Sequence, residues 1–369
     1  MKSLLQTTIF VCLILSANLA NAGETVIQRI GPELNHPWGI AIFNANKVLV
    51  TTRPGQLYQI DTSLGSSRLI TNTPNVVEHR QGGLLDVAVK KEDETIIVFL
   101  CYTKDVGSSK TSTAIYRGIL DGDQLSKGSD IFVSNHSSSS GLHFGCRLAL
   151  KDTYLYASIG DRGNRNSAQD PTSHSGAIIR LGLNTEGGSH SRPKNWLKEI
   201  YSIGHRNPQG LIFNKRTGDL WSHEHGPRGG DEINIISFGK NYGWPTVSYG
   251  KEYFGGDIGL NHSPRGYTDP VWKWTPSIAP SGMVFYSGKM FPEINGKLLV
   301  GSLKFMRLFV VSLGQNGLPS SEESIFKNTF GRIRDVDVLQ DGSILILNDE
   351  TEGGAITTWA SVGHYVKKC

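Results

Sequence analysis

The sequence repeats one two-strand unit six times, and this repeat restricts the fold more than any other feature. In each copy, an alternating run of apolar residues leads into a turn rich in Gly, Asn, Asp or Lys, and a second apolar run follows. Such a pair is typical of an antiparallel hairpin. The paired segments are 38–42 with 47–52, 83–89 with 95–100, 145–150 with 154–161, 209–213 with 219–224, 281–285 with 297–302, and 334–338 with 343–349.

Spacings of roughly 45–70 residues between the copies match the size of a four-stranded propeller blade with its loops. A third strand often follows the pair, as in 56–60, 113–117 and 307–311, and no long segment has a 3.6-residue period. The 43 glycines among 369 residues fit a chain with many turns. We therefore predict an all-β fold, a six-bladed β-propeller of four-stranded antiparallel blades. A β-sandwich or two stacked β domains is the alternative.

The composition excludes two other classes of protein. Charged residues make up only 19% of the chain and aromatic residues 9%, which argues against intrinsic disorder. The formal net charge of +4 is spread along the sequence, which argues against a dedicated nucleic-acid binder. We expect no membrane insertion, because no later stretch approaches the ~20 apolar residues of a membrane span. We also expect a monomer, although no sequence feature determines the oligomeric state.

Residues 1–22 have the pattern of a secretory signal peptide. Lys2 precedes an apolar run over 9–15, and Ala20-Asn21-Ala22 is a small-x-small cleavage site. The apolar run is shorter than an N-terminal membrane anchor, the alternative interpretation, requires. We therefore predict export to the periplasm and one mature catalytic domain over 23–369.

Removal of that segment leaves three cysteines, Cys101, Cys146 and Cys369. In an oxidising compartment, an odd number permits at most one intramolecular disulfide. The spacing does not decide whether Cys101 pairs with Cys146.

Polar residues are concentrated just before the repeat units and just after their second strands. In a propeller these connections surround the mouth of the central channel, so we expect their side chains to converge there. The pocket would be cationic and suited to a planar ligand with several carboxylates, although ion pairing between blades is the alternative. These residues are Arg80, Gln81, His143, His205, Arg206, Asn207, Ser277, Arg332 and Arg334 before the units, and Asp161, Arg162, Glu224, His225 and Lys304 after them.

Two segments indicate chemistry at that mouth. His143 lies among glycines at the start of a strand, where a histidine could serve as a general base or make a structural hydrogen bond. Residues 226–232 place backbone carbonyls of a glycine-rich loop beside two carboxylates, the oxygen-rich surroundings that calcium prefers. His223 and His225 do not indicate zinc, because alternate strand residues point to opposite faces and no further ligand pattern is present.

Longer motifs resemble those of the glucose/sorbosone dehydrogenase family, whose members are periplasmic six-bladed propellers that use pyrroloquinoline quinone (PQQ). The motifs occur in order along essentially the whole mature chain. They are Gly204-His205-Arg206-Asn207-Pro208-Gln209-Gly210, His225-Gly226-Pro227 with Asp231-Glu232-Ile233-Asn234, Asn241-Tyr242-Gly243-Trp244-Pro245, Arg80-Gln81-Gly82-Gly83-Leu84-Leu85, Ala279-Pro280-Ser281-Gly282, Ser302-Leu303-Lys304 and Arg332-Ile333-Arg334-Asp335.

The resemblance implies a role for each matching position. His143 would take the proton from the anomeric hydroxyl of an aldose while the C1 hydride passes to PQQ, which yields a lactone. The carbonyls of Gly226 and Pro227 would bind a calcium ion that also contacts PQQ, and Glu232 and Tyr242 would bind a second, structural calcium ion. The cofactor-binding positions would be Gln81, Arg206, Asn207, Ser277, Lys304, Arg332, Arg334 and Lys251.

Two features resemble the aldose sugar dehydrogenase branch more than the glucose-specific branch. Leu142 stands where the glucose-specific branch has an aspartate, and the chain lacks that branch's long inserted loops. Both features imply an open site with broad sugar specificity. As partners we expect an aldose substrate and an artificial or respiratory electron acceptor. A calcium-dependent lactonase and a non-catalytic propeller that binds sugar or protein are the alternatives, and the cationic pocket favours the dehydrogenase.

Overall fold

The computed structural model describes residues 13–14, 25–183, 193–350 and 354–361. These residues form six small antiparallel sheets, one for each predicted hairpin, arranged as the blades of a β-propeller. The six predicted hairpins are the first two strands of the six blades, so the predicted fold is confirmed. Most of the predicted leader, 1–22, lies outside the described residues.

Blades 1 to 3 follow one another along the chain, with strands ordered outward from the channel. Blade 1 contains β3 (Pro37–Asn44), β4 (Lys47–Thr52), β5 (Leu57–Asp61) and β6 (Ser67–Ile70). Blade 2 contains β7 (Leu84–Glu92), β8 (Thr95–Asp105), β9 (Thr111–Asp121) and β10 (Gln124–Val133). Blade 3 contains β11 (Gly145–Lys151), β12 (Tyr154–Ile159), β13 (Ala177–Gly182) and β14 (Ile200–Ile203), and β18 (Lys240–Asn241) pairs in parallel with β14.

Blades 4 to 6 complete the ring. Blade 4 contains β15 (Pro208–Phe213), β16 (Leu220–Glu224), β17 (Asp231–Ile236) and β19 (Trp272–Trp274). Blade 5 contains β20 (Pro280–Phe285), β21 (Leu298–Ser302), β22 (Arg307–Leu313) and β23 (Pro319–Ile325). Blade 6 contains β24 (Ile333–Val338), β25 (Ile344–Asn348) and β26 (Gly354–Ser361). Two short 3-10 helices span Arg165–Gln169 and Pro292–Ile294.

The two ends of the described chain meet in blade 6. The N-terminal strand β2 (Thr25–Leu34) pairs antiparallel with β26 and supplies the outermost full strand of the blade. The two-residue strand β1 (Leu13–Ile14) pairs with β2. Closing the last blade with a strand from the other end of the chain joins the first and last parts of the ring by backbone hydrogen bonds.

The innermost strands contact one another around a closed ring in the order β3, β7, β11, β15, β20 and β24. The second strands are buried on both faces, since each blade packs between two neighbours. In β4, for example, every residue from Val48 to Thr52 is buried. The apolar core therefore lies between the blades, and the channel along their axis is left for polar residues.

Cys101 on β8 and Cys146 on β11 form a disulfide, with their Cα atoms 5.6 Å apart. The bond joins blade 2 to blade 3 and lies in the apolar cluster between them. In a chain-entropy model, a crosslink across 45 residues stabilises a fold by about 4 kcal/mol. Within the described residues, no helix is long and apolar enough to cross a membrane.

Candidate active site

A cavity of about 490 Å³ opens where the innermost strands begin. Trp38, Leu85, Gly145, Gln209 and Arg334 reach it from the first residues of five innermost strands, and Ala279 lies just before the sixth. We call it the cationic cavity, because its lining includes four cationic side chains and a single carboxylate. These residues are Arg53, Lys304, Arg332, Arg334 and Asp349.

The carboxylate does not neutralise these cations. Arg334 Nη2 and Arg332 Nη2 lie 3.0 and 3.3 Å from the same oxygen of Asp349. Although burial alone would raise the pKa of Asp349, the charge of Arg334 and hydrogen bonds from His36 and Arg334 hold it well below its usual range. The lining therefore keeps a net positive charge of three.

Two buried donors in this lining have no hydrogen-bond partner among the described residues, namely Nε of Arg53 and Nε of Arg334. An unpartnered buried donor is costly, so such atoms indicate a ligand that the protein alone does not supply. Lys304 also has no ion-pair partner within the described part of the chain. The cavity volume falls in the range of about 300–1,000 Å³ that is usual for small-molecule sites.

His143 and Asp161 meet because they flank the two paired strands of one hairpin. His143 precedes β11 and Asp161 follows β12, and Gly145 is directly opposite Ile159 in the ladder. Gly160 permits the close approach, since a Cβ atom there would lie 2.1 Å from the carbonyl oxygen of His143. His143 Nδ1 is 2.7 Å from Asp161 Oδ1.

This contact fixes the protonation pattern of the imidazole. Burial raises the pKa of Asp161, but the hydrogen bond from His143, the peptide N–H of Gly163 and the charge of Arg206 together lower it below its usual value. An ionised carboxylate only accepts hydrogen bonds, so Nδ1 of His143 carries the hydrogen and Nε2 keeps its lone pair. Burial lowers the pKa of His143, despite the opposing effect of Asp161.

The loop that carries His143 is held from several directions. The peptide N–H of His143 donates to Gln81 Oε1 at 2.8 Å. Arg162 is buried and donates to the carbonyl oxygens of Leu142 and Ser140 at 3.1 and 2.6 Å. Its guanidinium also lies 3.7 Å above the ring of Phe144. His143 adopts a φ of 50°, so these contacts hold it in a backbone conformation that non-glycine residues seldom adopt.

The structure brings five of the predicted cofactor-binding residues to the cationic cavity. Asn207 accepts hydrogen bonds from the Gly145 N–H and from Gln209 at its Oδ1, which leaves its amide N–H groups for a ligand. The five residues are Gln81, Asn207, Lys304, Arg332 and Arg334.

The three other predicted cofactor-binding residues lie outside this lining. Arg206 Nη1 donates to the carbonyl oxygens of His225 and Gly226 at 3.0 and 3.1 Å. The hydroxyl of Ser277 donates to the carboxylate of Asp231 at 2.7 Å. Lys251 is exposed and lies 4.0 Å from Asp257.

A second, much smaller cavity of about 10 Å³ has room for about one water-sized occupant. Its lining includes three of the four predicted calcium ligands, namely Gly226, Glu232 and Tyr242. Pro227, the fourth, is buried in the adjoining loop. Glu224 faces Glu232 directly across β16 and β17 in the same lining.

The chemistry of this donor set fits a cation. Burial, together with the neighbouring charge of Glu224, raises the pKa of Glu232 well above its usual value. A divalent cation would relieve that repulsion and would take carboxylate and carbonyl oxygens as ligands. No cluster of three or more His, Cys, Asp or Glu side chains that could hold a metal occurs in the described ranges. A cation here would therefore depend partly on backbone carbonyls.

Sequence reasoning did not single out Arg53, Trp38 and Asp349, although all three line the cationic cavity. A positional signal for two of them was present, because Arg53 and Asp349 directly follow the second strands of their blades. In blade 3, Asp161 lies one residue further along, two positions after the end of β12. The contact between Asp161 and Trp244 joins residues 83 positions apart and has no signal in the local sequence.

The fold and the site together define a six-bladed propeller with a cationic cavity and a histidine–carboxylate pair at one mouth. Comparison with known proteins then identifies the family. The family model described as Glucose / Sorbosone dehydrogenase matches residues 34–357. The chain belongs to this family.

Individual relatives agree with that assignment. Aldose sugar dehydrogenase YliI of Escherichia coli is 37% identical over 355 residues, which cover 92% of this chain and 94% of the relative. The crystal structure of the soluble aldose sugar dehydrogenase from Escherichia coli in the apo-form has a TM-score of 0.83 and 33% identity, covering 91% of this chain and 99% of that chain. The PQQ-bound aldose sugar dehydrogenase from Streptomyces coelicolor has a TM-score of 0.72 and 25% identity, covering 92% and 99%.

Proposed function

We propose that this protein is a PQQ- and calcium-dependent aldose dehydrogenase that oxidises the C1 position of an aldose to a lactone. The observation that carries the proposal is the cationic cavity, with its net charge of three positive and its two unpartnered guanidinium nitrogens. PQQ has three carboxylates, which guanidinium groups bind well. Its quinone, when bound, accepts the hydride from C1.

The protein's own contribution to the chemistry begins at His143. With Nδ1 bonded to Asp161, Nε2 accepts the proton of the anomeric hydroxyl as the hydride leaves C1. The oxidation thus releases one hydride and one proton, and the resulting imidazolium is stabilised by the adjacent carboxylate. Arg334, Arg332 and Lys304 orient the anionic cofactor and do not take part in proton transfer.

Calcium would be held by oxygen ligands beside Arg206. Gly226 and Pro227 would supply carbonyls, and Glu232 and Tyr242 would complete the donor set of the same small cavity, which has room for about one ion. The second, structural calcium site that the family resemblance implies stays a prediction. An ion held there would supply Lewis-acid chemistry to the site. We also propose that residues 1–22 direct export to the periplasm and that 23–369 form the catalytic domain.

A reconstitution assay tests this function. The protein without residues 1–22 is stripped of metal and incubated with PQQ, with and without calcium, and dye reduction is followed after addition of several aldoses. Reduction that requires both PQQ and calcium is expected. A propeller that binds PQQ tightly but reduces no dye with any aldose contradicts the sugar substrate, and one that does not bind PQQ contradicts the cofactor.

Replacing His143 separates catalysis from binding. His143→Ala should lower turnover by roughly 10²-fold or more, because the transition state loses its general base. PQQ affinity, measured by titration, should stay close to that of the wild type. His262→Ala, at an exposed histidine, is the matched control and should keep full activity. If His143→Ala loses PQQ binding but keeps wild-type turnover for each bound PQQ, the role assigned to His143 is wrong.

A further inference from the structure

Trp244 donates a hydrogen bond to the carboxylate that holds the proposed base. Its indole Nε1 lies 2.8 Å from Asp161 Oδ2, whereas His143 contacts the other oxygen, Oδ1. The N–H of Gly163 also donates to Oδ1, at 2.7 Å. Both oxygens of Asp161 are therefore engaged, and Trp244 is the contact found at Oδ2.

The indole itself is fixed by its surroundings. The backbone beside it is held by the peptide N–H of Trp244, which donates to the Gly204 carbonyl at 3.0 Å, and by the Trp244 carbonyl, which accepts from Gln169 Nε2 at 2.7 Å. The guanidinium groups of Arg206 and Arg165 lie 5.4 and 5.7 Å from the centre of the ring. The side chain is buried, so its N–H group is a rigid donor aimed at Asp161.

We propose that Trp244 is a positioning residue for His143 and acts through Asp161. This inference rests on the proposed function, in which His143 is the base. Without the indole donor, the carboxylate could rotate about its Cβ–Cγ bond, and Nε2 of His143 would lose its fixed direction. Proton transfer depends steeply on that geometry, so the effect should appear in turnover more than in ligand affinity.

The donor also has an electrostatic effect. A hydrogen bond at Oδ2 draws negative charge away from Oδ1, so its loss should strengthen the interaction of Asp161 with protonated His143. The other charged or titratable groups that act on His143 are Arg206, Arg162 and His225. All three are retained when only the indole is replaced. The acidic limb of the pH–rate profile should therefore move to higher pH.

The experiment compares Trp244→Phe with the wild type in the PQQ- and calcium-loaded enzyme. We expect kcat to fall roughly 10-fold, the scale of losing a hydrogen bond to a charged group. The KM for the sugar and the affinity for PQQ should change little. In the protein without PQQ, an NMR titration of the His143 ring should give a higher pKa in the variant than in the wild type, because the carboxylate that has lost the indole donor interacts more strongly with the imidazolium.

Trp272→Phe is the matched control, because its indole Nε1 lies 3.3 Å from Glu322 on the outer part of blades 4 and 5. A second variant replaces the Trp244 indole with benzothiophene, which keeps the shape of the ring but removes the N–H. An unchanged pH profile and an unchanged His143 pKa in both Trp244 variants would overturn the inference. If the wild type oxidises no aldose, the proposed function fails, while the NMR comparison still decides whether Trp244 positions His143.

Discussion

The axial channel contains two cavities of similar size that differ in the balance of their charges. The cationic cavity measures about 490 Å³, and a distal cavity of about 470 Å³ is lined by later residues of the same six innermost strands. The distal cavity is lined by three carboxylates, those of Asp86, Asp335 and Asp337, and by three cationic side chains, those of Arg147, Lys151 and Lys215, so that its charges balance. Because the strands begin at one cavity and continue past the other, the two cavities lie towards opposite ends of the channel.

The two cavities differ in how completely their polar groups are satisfied. In the distal cavity, Asp86 and Asp335 both bind Arg147 Nη1, at 3.0 and 2.8 Å. Asp86 also accepts the N–H of Leu148, and Asp335 accepts the N–H of Ile40. The cationic cavity instead contains two buried donors, Nε of Arg53 and Nε of Arg334, that have no partner among the residues that the structure describes. The propeller scaffold supplies both cavities, and the unsatisfied donors distinguish a ligand site from a structural ion-pair network.

The largest expected effect concerns the ion-pair network of Arg147, Asp86 and Asp335 in the lining of the distal cavity. Arg147→Met should destabilise the protein by about 3–5 kcal/mol, since two buried carboxylates would lose their shared cation. Burial already raises the pKa of Asp86 to about 6, even with Arg147 opposing it. Denaturant unfolding measures the change, with the exposed Lys151→Met as the control. A loss below about 1 kcal/mol would show that the network contributes little to the stability of the ring.

A smaller effect should separate the two cavities as ligand sites. Arg334→Met should weaken PQQ binding roughly 10- to 100-fold, because a buried charged donor to a carboxylate is lost. Asp337→Asn, which alters the distal cavity, should leave the PQQ titration unchanged. Circular dichroism of both variants checks that the propeller is intact. Equal PQQ affinity in the wild type and in a folded Arg334→Met would contradict the assignment of the cationic cavity.

Local sequence pattern was enough to predict the hairpins but not the closure of the ring. The six pairs of strands have alternating apolar residues and turn residues within short windows. The pairing of β2 with β26 joins residues more than 300 positions apart, for example Ile30 with Ile356, and local periodicity does not encode a partner at that distance.

The site shows the same limit. The equivalent positions around the repeat predicted the convergence of Gln81, Lys304 and Arg334, because a propeller places such positions around one channel. Trp244 could be placed in a motif but not beside Asp161, because that contact depends on how the loop after blade 4's third strand packs against blade 3.

The smallest effect concerns the pH dependence of stability at the distal cavity. Burial raises the pKa of Asp337 to about 7, and the charge of Asp335 adds to the shift, while the Val338 N–H and Lys215 oppose it. The unfolded state releases this proton at lower pH than the folded state does, so Asp337 should reduce stability progressively as pH rises from about 4 to about 7. Asp337→Asn should remove that slope and stabilise the protein at neutral pH by roughly 1–2 kcal/mol, a value reduced because the side chain is partly exposed.

Unfolding curves across this pH range measure the slope, with Asp93→Asn in the exposed β7–β8 turn as the control for losing one carboxylate. An unchanged slope in Asp337→Asn would mean that this carboxylate stays ionised in contact with water, and that the distal cavity is less enclosed than its lining indicates.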